Sequence, residues 1–153
     1  MTKRMTAAGA VGAMVLSGAV LAGTPSAQAT SGRQLAGTWA VSVDPDAPGM
    51  PSFTSTILYT STGGLVETTM NRPPSMISTG LGRWERLGEG RFAVTHRKYR
   101  WEDDTFVGTV LVQETGSVSP NGTRYDARAT TTLLDPQQRV VRSFTSTVTA
   151  ERL

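Results

Sequence analysis

Residues 52–70 read SFTSTILYTSTGGLVETTM: two runs rich in β-branched and aromatic residues flank the compact sequence Ser61-Thr62-Gly63-Gly64. Period-two alternation with a glycine able to take positive φ between the runs is the pattern of an antiparallel hairpin. Two further turns of the same kind follow, Gly88-Glu89-Gly90 and Ser119-Pro120-Asn121-Gly122. They alternate with connections at Asp44 to Pro51, Asn71 to Gly80, Arg100 to Asp104 and Asp135 to Gln138, of which the first and third are long and contain proline. The runs between these loops predict eight strands, at 37–43, 52–60, 64–70, 81–87, 91–99, 105–118, 123–134 and 139–151. No apolar period of 3.6 is sustained for three turns.

In a meander, every second loop lies at the same end of the sheet. The alternation therefore predicts one tight end and one open mouth. With no helix to cover a sheet edge, eight antiparallel strands are best stabilised by closing on themselves, which removes both edges. The expected fold class is all-β, an eight-stranded antiparallel up-and-down barrel; a flattened two-sheet sandwich is the alternative.

Residues 1–29 read as a secretion signal and 30–153 as one barrel domain. Lys3 and Arg4 precede an uncharged, small-residue stretch from Ala7 to Ala22, and Ala27-Gln28-Ala29 fits small-x-small cleavage after Ala29. The stretch is short and rich in Ala and Gly for a permanent span, so no integral membrane segment is expected in the mature chain. Losing Lys3 and Arg4 leaves 13 basic against 12 acidic residues and lowers the net charge from +3 to +1. The high isoelectric point thus gives no indication of nucleic-acid binding, and the one basic cluster, Arg97-Lys98-Arg100, reads as a solvated strand face.

The chain has no cysteine, so the exported domain must be held by burial and hydrogen bonding alone, and thiolate metal sites and thiol nucleophiles are excluded. One histidine, His96, cannot form a multi-histidine metal site within one chain. No cofactor is expected. Arginine outnumbers lysine 13 to 2, a bias like that of high-GC bacteria.

Alternation assigns Trp39, Tyr59, Trp84, Phe92, Tyr125 and Val148 to an aromatic layer at the tight end. Toward the mouth the same faces carry Val43, Phe53, Met70, Gly82, His96, Phe106, Leu133 and Arg142, the last either a fixed cation in the lumen or a side chain reaching out to solvent, with Ser55, Thr131 and Ser146 between the layers. An apolar lining with a few polar handles suits a small-molecule site, and Val43, Phe53, Met70, His96, Phe106, Leu133 and Arg142 are the expected ligand-binding residues. His96 is the weak catalytic candidate. Glu67 and Glu85 fall on the outward parity of their strands and are not expected to reach it, whereas Asp103 and Asp104 sit in a mouth loop that, with Arg100, Trp101 and Glu102, reads either as a lid or as a charged turn with one packed indole. No nucleophile elbow, phosphate loop or helix-borne histidine pair is present.

With Leu35-Ala36-Gly37-Thr38-Trp39 opening the first strand, a leader and eight meandering strands, the chain resembles the lipocalins and the wider calycin superfamily. In that family a Gly-x-Trp motif begins the barrel, its Trp closes the floor, and an arginine from the chain's end lies across the indole. Gly37 and Trp39 match, and Arg152 is the natural counterpart; with Trp84 they form the expected floor. The Thr-Asp-Tyr motif and the helix after the eighth strand are absent. The resemblance implies a secreted, extracellular or periplasmic carrier of a small lipophilic or aromatic molecule, monomeric or homodimeric. Two other functions compete: a small barrel isomerase or cyclase using His96 or Arg142, and a protein-binding or inhibitor module using the loops at 44–51 and 71–80.

Overall fold

The computed structural model describes residues 34–70 and 72–153; the expected leader and its cleavage point lie outside the described residues. Eight strands follow one another: β1 (Gly37–Pro45), β2 (Phe53–Tyr59), β3 (Gly64–Thr69), β4 (Gly80–Gly88), β5 (Arg91–Glu102), β6 (Thr105–Val118), β7 (Arg124–Leu134) and β8 (Val140–Arg152). Each pairs antiparallel with the next, and β8 returns to β1, so the sheet is a closed barrel in sequence order. Most expected strand limits lie within two residues of the observed ones; the exception is β5, which runs on to Glu102.

The two ends differ as the loop lengths predict. At the tight end the turns lean on neighbouring strands: the Trp84 amide donates to the Gly63 carbonyl, that of Val118 to Gly90, and that of Arg152 to Thr123, at 2.8, 2.9 and 2.9 Å. Gly63, Gly90 and Gly122 take positive φ there, as such turns require. At the other end the longer connections are tied to the wall, the Asp46 amide donating to Thr145 and the Ser78 amide to Tyr99.

The aromatic floor forms as the alternation predicts. Trp39, Tyr59, Phe92 and Tyr125 are buried and Trp84 is half-buried, whereas Val148, expected in the same layer, faces Val43 across the β1–β8 seam and lies in the lumen. Tyr125 stands edge-on to Trp39, Phe92 and Tyr59, at centroid separations of 4.9, 5.2 and 6.3 Å. Burying each such ring stabilises the fold by about 1.5–3 kcal/mol, the stabilisation a domain without disulfides needs. The indole nitrogens are satisfied: Trp39 Nε1 donates to the Leu35 carbonyl at 2.7 Å and Trp84 Nε1 to that of Thr60 at 2.8 Å.

Trp39 and Arg152 are register partners across the closing β1–β8 seam, and the guanidinium lies 4.3 Å from the centre of the indole ring. It also donates to the carbonyls of Gly122, Ala36 and Gln34, so one side chain ties the β6–β7 turn, the β8 end and the approach to β1. Gly37 has a φ of 134° and a Cβ there would meet the Arg152 guanidinium, which explains glycine at this position of the motif.

Two expectations are corrected. Residues 100–104 are not a lid: β5 and β6 run as a ladder to Glu102 and Thr105, and Asp103-Asp104 is a two-residue turn with both φ values positive. The positive φ pair matches the twist of the flanking strands, so a turn of this kind extends the hairpin rather than opening a loop. The second correction concerns β3, where Leu65 and Glu67 face inward while Val66 is exposed. Met70, expected in the lumen, lies beyond the strand's end and is 74% exposed.

Candidate functional site

The inversion of β3 has a local cause in β4. Glu67 is paired with Gly80, and Gly82 with His96, so the inward positions of β4 between Glu67 on β3 and His96 on β5 carry no side chain. A Cβ on Gly80 would stand 3.0 Å from Glu67 Oε2 and 3.3 Å from His96 Cδ2; one on Gly82 would stand 2.1 Å from the Thr95 carbonyl oxygen. Glycine at both positions clears a lane across which the side chains of β3 and β5 meet.

In that lane Glu67 Oε2 lies 2.7 Å from His96 Nε2. The contact is short, but its angles are bent away from those of a hydrogen bond. The other oxygen, Oε1, accepts from Lys98 Nζ and from Ser55 Oγ, each at 2.7 Å, and Lys98 also donates to Thr69 Oγ1 at 2.7 Å. Glu67, His96 and Lys98 are 3%, 3% and 5% exposed. Burial alone would raise the Glu67 carboxyl; His96 and Lys98 beside it outweigh that and hold it well below the usual carboxylate range. The basic cluster read as a solvated face is thus split: Arg97 points out, Lys98 points in and Arg100 is half-buried.

Across the lumen a second acid has no such support. Glu114 on β6 is 4% exposed, and its Oε1 has no hydrogen-bond partner. Desolvation, with the negative charge of Glu67 as a smaller contribution, pushes its carboxyl up to about 8, so it is a neutral acid at pH 7. Tyr59 and Tyr125, whose hydroxyls lie 3.3 Å apart, are kept in their phenol form chiefly by burial and then by Glu114. In the register Glu114 faces Ala129, and Ala129 faces Ser146, whose fully buried Oγ also lacks a partner.

Between these groups lies a cavity of about 40 Å³. Glu67, His96, Lys98, Glu114 and Thr131 supply its polar side; Val41, Val43, Phe53, Ile57, Val112, Ala129 and Val148 supply the rest. Two buried carboxyls of opposite protonation state share one small chamber. A barrel stabilised by packing alone is expected to fill its middle with aliphatic side chains, because each buried ion loses several kcal/mol of hydration. A wider groove of about 350 Å³ lies on the outer wall, where Ala40, Ser42, Thr54, Thr56 and Thr149 sit with Met70, Arg124 and Glu151. No buried, unpartnered polar atom belongs to its outward-facing side chains, so the lumen is the candidate site.

Of the residues expected to bind a ligand, Val43, Phe53 and His96 line the chamber. Phe106 stands edge-on to Tyr99 and Trp101 in the β5–β6 hairpin, at 6.1 and 5.5 Å, and Leu133 is half-buried on β7; neither lines it. Arg142 is exposed, with its guanidinium 5.7 Å from the Phe144 ring, and is no part of the lumen; the version of a barrel enzyme that relies on it loses its geometry. Glu85 is exposed, as its parity indicates. Lys98 and Glu114 were missed although each carried a signal: Lys98 shares the parity of Phe92, Val94 and His96, and Glu114 that of Val110 and Val112. Among the described residues no group of three or more His, Asp or Glu side chains is placed to hold a metal ion. No known family model matches the chain, and no curated protein matches it in sequence.

Proposed function

We propose that this chain is a secreted, lipocalin-like binding protein that carries or scavenges a small molecule in its lumen, with an apolar body against Val43, Phe53, Val112 and Val148 and one polar end against Glu67, His96, Lys98 and Glu114. The observation that carries this reading is the buried carboxyl of Glu114, whose Oε1 has no hydrogen-bond partner, in the wall of a largely apolar chamber. An unsatisfied buried polar atom costs on the order of 1–3 kcal/mol, and a ligand group that hydrogen-bonds it recovers that cost. The closed barrel with one tight, aromatic end and the Gly37–Trp39–Arg152 arrangement support the calycin resemblance. The size of the chamber favours a compact ligand head over a bulky ring system.

The test is native mass spectrometry of the protein recovered from its own secretion medium, with thermal-shift screening of short-chain lipids, small aromatics and small ketones. A non-covalent adduct, or stabilisation that Glu114→Ala or Phe53→Ala removes, is the expected result. Recovery of the bare chain together with no stabilisation by any of these compounds would falsify lumenal binding.

A further inference from the structure

The chamber is more than a polar pocket, because its two walls differ in what they can do with a proton. On one wall Glu67 holds the His96 ring by Nε2 and is itself fixed by Lys98 and Ser55. With a carboxylate oxygen 2.7 Å from Nε2, the field of Glu67 favours the ring's hydrogen on that nitrogen even though the contact is bent, and in the neutral ring Nδ1 then carries the lone pair. Nδ1 is buried and has no partner. A base oriented by a carboxylate and left with its second nitrogen free is the arrangement used for proton abstraction. On the other wall Glu114 is a buried carboxyl whose Oε1 has no hydrogen-bond partner. Tyr59, Tyr125, Glu67, His96 and Lys98 are the titratable groups that share its surroundings. His96 and Glu114 thus line one small chamber, whose polar side suits a carbonyl group and the carbons next to it.

We propose that the lumen catalyses proton transfer in a small carbonyl compound, isomerising a β,γ-unsaturated ketone or aldehyde to its conjugated form, with His96 as the base and Glu114 as the acid. This rests on the lumenal binding proposed above. His96 Nδ1 removes the proton on the carbon between the carbonyl and the alkene. The C–H electron pair becomes the new C=C bond as the C=O π pair moves to oxygen, which takes the Glu114 proton. On the return leg the dienol collapses: the imidazolium delivers its proton to the γ-carbon, the hydroxyl proton goes back to Glu114, and the carbonyl re-forms. Substrate and product are isomers, both residues end as they began, and no oxidant or reductant is consumed. Glu67 is a positioning residue, and Lys98 keeps it ionised.

The probe is the acyclic ketone 4-penten-2-one with the full-length mature chain in D₂O buffer, followed by NMR for conversion and deuterium uptake, with binding measured separately by ligand-observed NMR. Conversion above the buffer rate is expected, falling as pH rises past the point where Glu114 ionises, at about 8. His96→Gln and Glu114→Gln should each lower kcat on the order of 100-fold or more with the probe still bound. Glu67→Gln should lower kcat and alter the NMR titration of the imidazole, which is unambiguous because the chain has one histidine; Glu67→Asp should restore part of both. A chain that binds the probe without converting it, or converts it equally well after both Gln substitutions, overturns the acid–base assignment and leaves lumenal binding standing. A chain that binds neither this probe nor any compound of the thermal-shift panel ends both.

Discussion

Glu67 and Glu114 show how much a carboxyl's behaviour depends on its immediate neighbours. Both are buried in one barrel, yet one is held ionised by His96 and Lys98 and the other is held neutral by burial, with the charge of Glu67 adding to it. Their effects on stability have opposite sign. Glu114 binds its proton more tightly folded than unfolded, so its contribution is intact below about 4.5 and is lost as pH rises toward about 8. Glu67 is depressed when folded, so its contribution is present above about 4.5 and is lost only as strong acid protonates it. Urea denaturation across that interval should therefore show stability falling with rising pH, by on the order of a few kcal/mol in all, and Glu114→Gln should flatten that slope. A slope unchanged by the substitution would show that the acid is not buried as described.

At the level of the element, β4 decides what the lumen contains by what it omits. Gly80 and Gly82 leave its inner face bare, and Glu67 and His96 fill the space. Gly80→Ala meets mainly side-chain atoms, so the fold should survive with a cost of about 1 kcal/mol while Glu67 and His96 separate by a few tenths of an ångström. Gly82→Ala meets backbone at 2.1 Å and should cost about 3 kcal/mol or more. Circular dichroism melts of the two variants would rank them, and the reverse order would refute this account of the lane. These glycines also explain which parts of the sequence were legible. Turn chemistry and alternation located β1 to β8 and the floor because Trp39, Tyr59, Phe92 and Tyr125 each sit among same-parity apolar neighbours. In β3 the alternation fits either face, and the parity that turns Met70 inward leaves Glu67 outward. The residues that favour the other face lie two strands away on β5, and no pattern within β3 announces them. His96, Val43 and Phe53 were found by parity, whereas Lys98 and Glu114 shared an inward parity yet were passed over because ionisable residues are rarely inside.

As a whole, the molecule is a seam-closed cylinder in which Arg152 fastens the last strand to the first and every strand has two neighbours. With no disulfide to lock it, the barrel exposes its middle only by opening, and the interior carries a natural reporter of that event. Lys98 and Lys3 are the two lysines of the sequence, and Lys98 is 5% exposed with its amine engaged by Glu67 and Thr69. An amine-directed acylating reagent should leave Lys98 untouched on the timescale that modifies the chain's α-amine, and mark it at a rate that rises with urea as the open population grows. Peptide mapping after timed acylation would thus clock how often the wall parts. Prompt labelling in native buffer would show a lumen already in exchange with water.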